Sequence, residues 1–189
     1  MVVDDESLIE EILSGSEAAM EVLARRYYPI IFAFVYRKVG NKELAYDLTQ
    51  DIFIKMMKKI KSYSKKGLFK SWLFTIAVNH CRDYWKSSAH LRKNQQTEIS
   101  EQLQSRDADT PFIFEQKEKR NQVKAYIDTL PEMQREVILL KYFHDLKIRE
   151  IAEVTASNEA TVKSRLRQPL AKLRKIFQRG EHDNAEENQ

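Results

Sequence analysis

The chain has 189 residues, room for one or two domains, and 42% of them are hydrophobic, enough for a packed core. Only four Gly and four Pro among 32% charged residues point to long helices and away from a turn-rich β-sandwich. Cys81 is the only cysteine, which excludes an intrachain disulfide and suits a reducing compartment; the net charge of +4 matters only where it is clustered. It is clustered: seven Lys and no acid lie between Ile52 and Cys81, while the N-terminal segment and the tail are acidic. That asymmetry suggests a nucleic-acid face set against acidic surfaces. Asp4, Asp5 and Glu6 stand where a secretory signal would be basic and then apolar, and no apolar run approaches the ~20 residues that span a bilayer. The expectation is a soluble, intracellular protein with no direct membrane insertion.

Ser16 is placed to cap a helix in which Ala19, Met20, Leu23, Tyr27, Ile31 and Phe34 recur at helical spacing. Pro29 falls inside it and removes one backbone bond, a possible kink. Gly40 ends the segment and Asn41 caps the next, Lys42 to Lys61. There Ala45, Leu48, Ile52 and Met56 share a core-facing side, while Asp47, Gln50, Asp51 and Ile54 sit together on the opposite side. An apolar residue ringed by polar ones fits a protein-docking patch, and an ordinary exposed helix fits equally well.

After the polar loop KSYSKKGL, Phe69 to Lys86 reads as a helix. Trp72, Leu73, Ile76, Ala77 and Tyr84 form one face, with burial the first reading for Trp72. Ser71, Thr75, Asn79, Arg82 and Lys86 form a polar, partly basic stripe. With the Lys-rich loop and its Tyr63, such a stripe can bind phosphates and hold unpaired bases. His80 and Cys81 have no second ligand pair at metal spacing, so neither zinc nor any other cofactor is expected. From Ser87 to about Thr110 the chain is polar and without apolar periodicity, as a flexible linker is.

A helix from about Ile113 leads into LPEMQREVILLKYFHDLKIREIAEVTASNEATVKSRLRQPLAKLRKIF. In it Lys147 to Val154 makes a short helix, Thr155-Ala156-Ser157 a turn, and Asn158 the cap of a basic helix with a Val162, Leu166, Leu170, Leu173, Phe177 stripe. Lys163, Ser164, Arg165 and Arg167 crowd its first turns. Short helix, tight turn and basic helix form the helix-turn-helix pattern, whose second helix enters the DNA major groove. A bundle end with solvated cations is the competing reading of this segment alone.

Taken together, the motifs resemble a bacterial sigma factor of the extracytoplasmic-function type within the sigma-70 family. AYDLTQDIFIKM resembles the family's signature helix, with Asp47, Gln50 and Asp51 on its D-x-x-Q-[DE] core. FKSWLFTIAVNHCRDYWK resembles the segment that opens and reads the −10 promoter element, and the C-terminal stretch resembles the reader of the −35 element. The resemblance implies an all-α chain of two small helical domains: residues 1–88, a flexible linker 89–112, a helix-turn-helix domain 113–178 and an acidic disordered tail 179–189.

It further implies that Asp47, Gln50, Asp51 and Ile54 dock on core RNA polymerase. Tyr63, Ser64, Lys65, Lys66, Lys70, Ser71, Asn79, Arg82 and Lys86 would capture unstacked −10 bases, offsetting a melting cost of a few kcal/mol without ATP. Ala160, Thr161, Lys163, Ser164, Arg165, Arg167 and Gln168 would bind −35 promoter DNA, Val137 to Phe143 would lie on the polymerase flap, and an anti-sigma factor is a family expectation. Three positions depart from the family pattern. Ala156-Ser157 stands where Gly and an apolar residue are usual, Gln168 replaces a frequent Arg, and Pro169 lies inside the recognition helix at a cost of about 3 kcal/mol if unrelieved. The runner-up function is a stand-alone helix-turn-helix regulator, but the N-terminal half shows neither a sensor pattern nor a dimerisation seam. No nucleophile–base or carboxylate-pair arrangement suggests an enzyme.

Overall fold

The computed structural model describes residues 3–63, 68–92 and 121–186, with backbone alone for 88–92 and 176–186. Helix α1 (Asp5–Leu13) was not anticipated from the sequence. Asp4 caps it by accepting from the Ser7 N–H at 2.9 Å, and it buries Leu8, Ile9 and Ile12. Its Asp5 takes hydrogen bonds from Arg26 and from the Tyr27 hydroxyl, tying the acidic N-terminus to α2 (Glu17–Val39). Ser16 caps α2, accepting from the Ala19 N–H at 3.2 Å, and Gly40 closes it in the left-handed region at φ 75°. The helix passes through Pro29 unbroken. Pro29 and Arg25, whose carbonyl loses its partner, both face solvent, where water can satisfy it.

Asn41 caps α3 (Lys42–Lys59) through the Leu44 N–H at 2.9 Å, and a 3-10 turn, Ile60–Ser62, follows. Helix α4 (Phe69–Arg92) extends past Lys86, since nothing from Ser87 to Arg92 is Gly or Pro. It buries more than its expected face: Phe69, Leu73, Phe74, Ile76, Ala77, Val78 and Cys81 are all inside. Trp72 is half-buried against Tyr63 and Phe69, with ring centroids 5.2 and 5.5 Å away.

The C-terminal half contains α5, described over 121–128, and α6 (Glu132–Ile138), which continues as a π-helical turn, Leu139–Phe143. Next come α7 (Ile148–Val154) and α8 (Glu159–Glu186). The Lys147 N–H is held by Glu150 at 2.6 Å at the start of α7. Asn158 caps α8 by accepting from the Thr161 N–H at 2.7 Å, and Val162 and Leu166 are buried as the stripe requires. Between them Ala156 takes the left-handed conformation at φ 51°. Helix α8 runs on through Pro169, whose ring is buried, so packing offsets part of the lost hydrogen bond. One expectation for it needs correction: it carries Gly180 and continues to Glu186, into the segment read as a disordered tail; one interior Gly costs only about 1 kcal/mol.

The two halves do not stand apart as separate beads. Helix α7 packs on α4, the π turn packs on α2, and the buried residues of both halves form one continuous core. His144 sits at the junction of the two halves. Its ring sits 5.6 Å from Phe34 and 4.9 Å from Phe74, and it is 5% exposed.

Candidate nucleic-acid and polymerase interfaces

Helix α3 separates its two faces as its spacing demands. Ala45, Leu48, Ile52 and Met56 are buried, whereas Asp47, Gln50, Asp51 and Ile54 are exposed, Ile54 by 43%. Met57, one turn beyond Ile54, is 46% exposed and enlarges the apolar centre of this patch. Beneath its edge lies His80 of α4. Lys55 Nζ is 2.7 Å from His80 Nδ1, and an ammonium can only donate, so the ring's proton belongs on Nε2. Nε2 faces Asp51 Oδ2 at 3.4 Å, long for a hydrogen bond. Burial first, then the Lys55 charge, holds His80 below its ordinary value.

The stripe on α4 is divided. Asn79 and Lys86 are exposed, and Tyr63 at the mouth of the loop is half-buried. Ser64, Lys65 and Lys66 lie outside the described residues. The remaining three are not free as the sequence suggested: one is buried, and the other two bond to the C-terminal half. Ser71 is 8% exposed. Lys70 donates to the His144 carbonyl at 2.6 Å. Arg82 donates to Glu136 Oε1 at 2.5 Å and reaches the Thr155 carbonyl at 3.4 Å. Thr75 spends its hydroxyl on the Ser71 carbonyl of its own helix at 3.0 Å.

The same carboxylate of Glu136 binds Lys38, at the last turn of α2, at 2.5 Å. Lys38 also lies 3.3 Å from Glu132. A buried acid between two cations is expensive to desolvate, and removing one partner of such a set typically costs about 3–5 kcal/mol. Neither Lys38 nor Glu136 was singled out in the sequence. Lys38 looks like an ordinary cation at a helix C-terminus. Glu136, an acid embedded in the apolar run EVILL, was the available signal, since a charge at a buried position needs a partner.

On α8 the first turns stay open. Ala160, Lys163, Ser164, Arg167 and Gln168 are exposed and Thr161 is half-exposed. Arg165 bends back onto the Ser157 hydroxyl at 2.8 Å, which stiffens the turn, and Gln168 touches Gln134 at 3.4 Å. Of Val137 to Phe143, the first four residues are core, while Tyr142 and Phe143 are 53% and 43% exposed. Among the described residues no helix is long and apolar enough to cross a membrane.

Comparison with known proteins matches both halves. Residues 23–91 match the family Sigma-70 region 2, and residues 120–173 match Sigma-70, region 4. The ECF RNA polymerase sigma-E factor of Haemophilus influenzae is 28% identical over 170 residues, 86% of this chain and 89% of that one. RNA polymerase sigma factor SigV of Bacillus subtilis is 29% identical over 151 residues, 78% of this chain and 82% of its own. The fold is that of the sigma factor RpoE from Bartonella quintana, solved in complex with the anti-sigma factor NepR. The TM-score is 0.68 at 20% identity, over 84% of this chain and 96% of that one. With both conserved regions matched in order and the helix-turn-helix in place, the chain belongs to the sigma-70 family, as an extracytoplasmic-function sigma factor that directs promoter-specific transcription initiation by RNA polymerase.

Proposed function

We propose that the exposed face of α3 is the polymerase-docking surface, that α4 with the 62–67 loop captures melted −10 bases, and that the first turns of α8 read the −35 duplex. The observation that carries this reading is the sorting of α3. Four polar or apolar residues at one-turn spacing remain in solvent although their neighbours fill the core, and an apolar centre ringed by carboxylates and an amide is how a docking patch is built. For α8, Lys163 and Arg167 are the exposed side chains best suited to phosphates, while Thr161 and Ser164 lie where base edges pass. Tyr142 and Phe143 would meet the polymerase flap. The chain selects and opens the promoter while the polymerase does the chemistry, and its place of work is the cytoplasm. Because the similar sigma factor RpoE was solved in complex with an anti-sigma factor, a regulator of that kind is the expected further partner.

Run-off transcription with bacterial core polymerase tests the docking surface. Asp51→Arg should abolish core binding and initiation, a loss of about 100-fold or more, because it places a like charge where a carboxylate is needed. The variant should fold normally, since Asp51 is exposed. If it supports initiation at the wild-type level, the patch lies elsewhere.

A further inference from the structure

Two cations from different helices of the N-terminal half, Lys38 of α2 and Arg82 of α4, converge on the two oxygens of one carboxylate, Glu136. The side chains are 2% exposed for Lys38, 17% for Arg82 and 0% for Glu136. Beside them Trp85, one turn beyond Arg82, borders a cavity of about 150 Å³ together with Lys38, Glu132 and Arg135. Without Glu136, the N-terminal half would present two converging donors for one anionic group, with a flat aromatic ring next to them. Such a set holds a nucleotide by its phosphate and stacks its base.

We propose that Lys38, Arg82 and Trp85 form a nucleotide-phosphate site for single-stranded promoter DNA, occupied in this closed arrangement by Glu136 of the chain's own C-terminal half. The inference rests on reading α4 as the −10 helix, and it adds two residues to that surface. It also makes the C-terminal half a competitor of the DNA. The competition extends along α4, where Lys70 is spent on the His144 carbonyl. A carboxylate exchangeable for a phosphate gives the buried charge a use, since a well-packed apolar residue would hold the halves together at no desolvation cost. Apparent affinity for DNA is then the intrinsic affinity multiplied by the fraction of molecules in which the halves have parted.

The test is fluorescence anisotropy of the full chain with a short, labelled single-stranded DNA oligonucleotide. Glu136→Gln, confirmed helical by circular dichroism, should bind about tenfold more tightly, as expected if about nine-tenths of the wild type is closed. Adding Lys38→Met or Trp85→Ala should remove most of that gain. Arg37→Ala is a second way to open the molecule. It removes the cation–π contact on Phe143, 4.8 Å from the ring centre, and a hydrogen bond to the Ala33 carbonyl of its own helix, while the exposed side chain fills no core position, and binding should tighten about twofold. No tightening by either variant, or a gain in Glu136→Gln that survives Lys38→Met, overturns the proposal. Asn79→Ala, on the exposed part of α4, separates the two readings. If it weakens binding while Glu136→Gln changes nothing, the −10 reading of α4 stands and only the proposal falls. If neither changes binding, both fall.

Discussion

Helices α3 and α4 are packed neighbours in the same half, and each carries a polar stripe opposite an apolar one, yet they are used differently. On α3 the stripe is open: Asp47, Gln50, Asp51 and Ile54 are all exposed among the described residues. On α4 the stripe is partly consumed, with Ser71 covered, Lys70 bonded to a carbonyl and Arg82 to Glu136. Under the proposed assignment of these faces, the docking face is open in this arrangement while part of the −10 face is covered. The lesson is that a polar stripe marks a face that will not be buried in apolar surroundings, without saying whether its partner is another molecule or the rest of the same chain.

The contrast is broken most strongly by emptying the shared core. Phe74 is fully buried, edge-on to Phe34 at 5.3 Å and tilted against His144 at 4.9 Å. Phe74→Ala should cost about 3–5 kcal/mol, from lost apolar burial and a cavity that cannot fully collapse. Ile54→Ala, on the bare face, should change stability by less than about 0.5 kcal/mol while weakening core binding. Urea unfolding of the two variants, set beside their affinity for core polymerase, checks the pair. Equal stability losses would mean that Ile54 is packing after all.

A pH titration sharpens the comparison from inside the junction. His144 is pushed down to about 4 from an ordinary 6.5, first by burial, then by the Arg37 and Lys70 charges, with Asp145 opposing. Its Nε2 is buried without a hydrogen-bond partner. Since the folded value lies below the unfolded one, the unfolded chain takes up the proton first as pH falls. Stability is therefore complete above about 6.5 and is lost as pH drops towards 4, by about 2–3 kcal/mol from this residue. Urea midpoints measured between pH 7 and pH 5, before most carboxylates titrate, should fall for wild type and fall less for His144→Leu. Parallel curves would place the acid sensitivity elsewhere.

These outcomes also mark how much was legible from residues alone. The caps at Ser16, Asn41 and Asn158 and the terminator Gly40 all form as their local chemistry requires, because capping is decided within a few residues. The sides of α3 were legible because a 3.6-residue period fixes which residues share a face. Helix α1 was missed although Leu8, Ile9 and Ile12 fall on one face at helical spacing, which is the signal that could have found it. The partial burial of α4 could not be read at all. Lys70 and Arg82 bond to residues more than fifty positions away, and no local pattern encodes that pairing. Pro169 is a local penalty that the surrounding helix absorbs.

The smallest expected effect concerns the turn between α7 and α8, which meets α4 where Arg82 reaches the Thr155 carbonyl. Ala156 holds a left-handed φ of 51°, where a Cβ crowds the backbone at a cost of about 1–2 kcal/mol, and the family pattern has Gly at this turn. Ala156→Gly relieves that strain but gives the unfolded chain more freedom, worth about 0.4–1 kcal/mol in the opposite sense. The net gain should be up to about 1 kcal/mol, a rise in Tm of about 2–4 °C for a chain of this size. Because Ala156 lies outside the base-reading turns of α8, affinity for a −35 duplex should stay within about twofold of wild type. A calorimetric scan and a duplex titration check the two halves of this expectation. A lower Tm would show that the methyl group contributes packing worth more than the strain it imposes, and that the turn is tuned to its contact with α4 as well as to its own backbone.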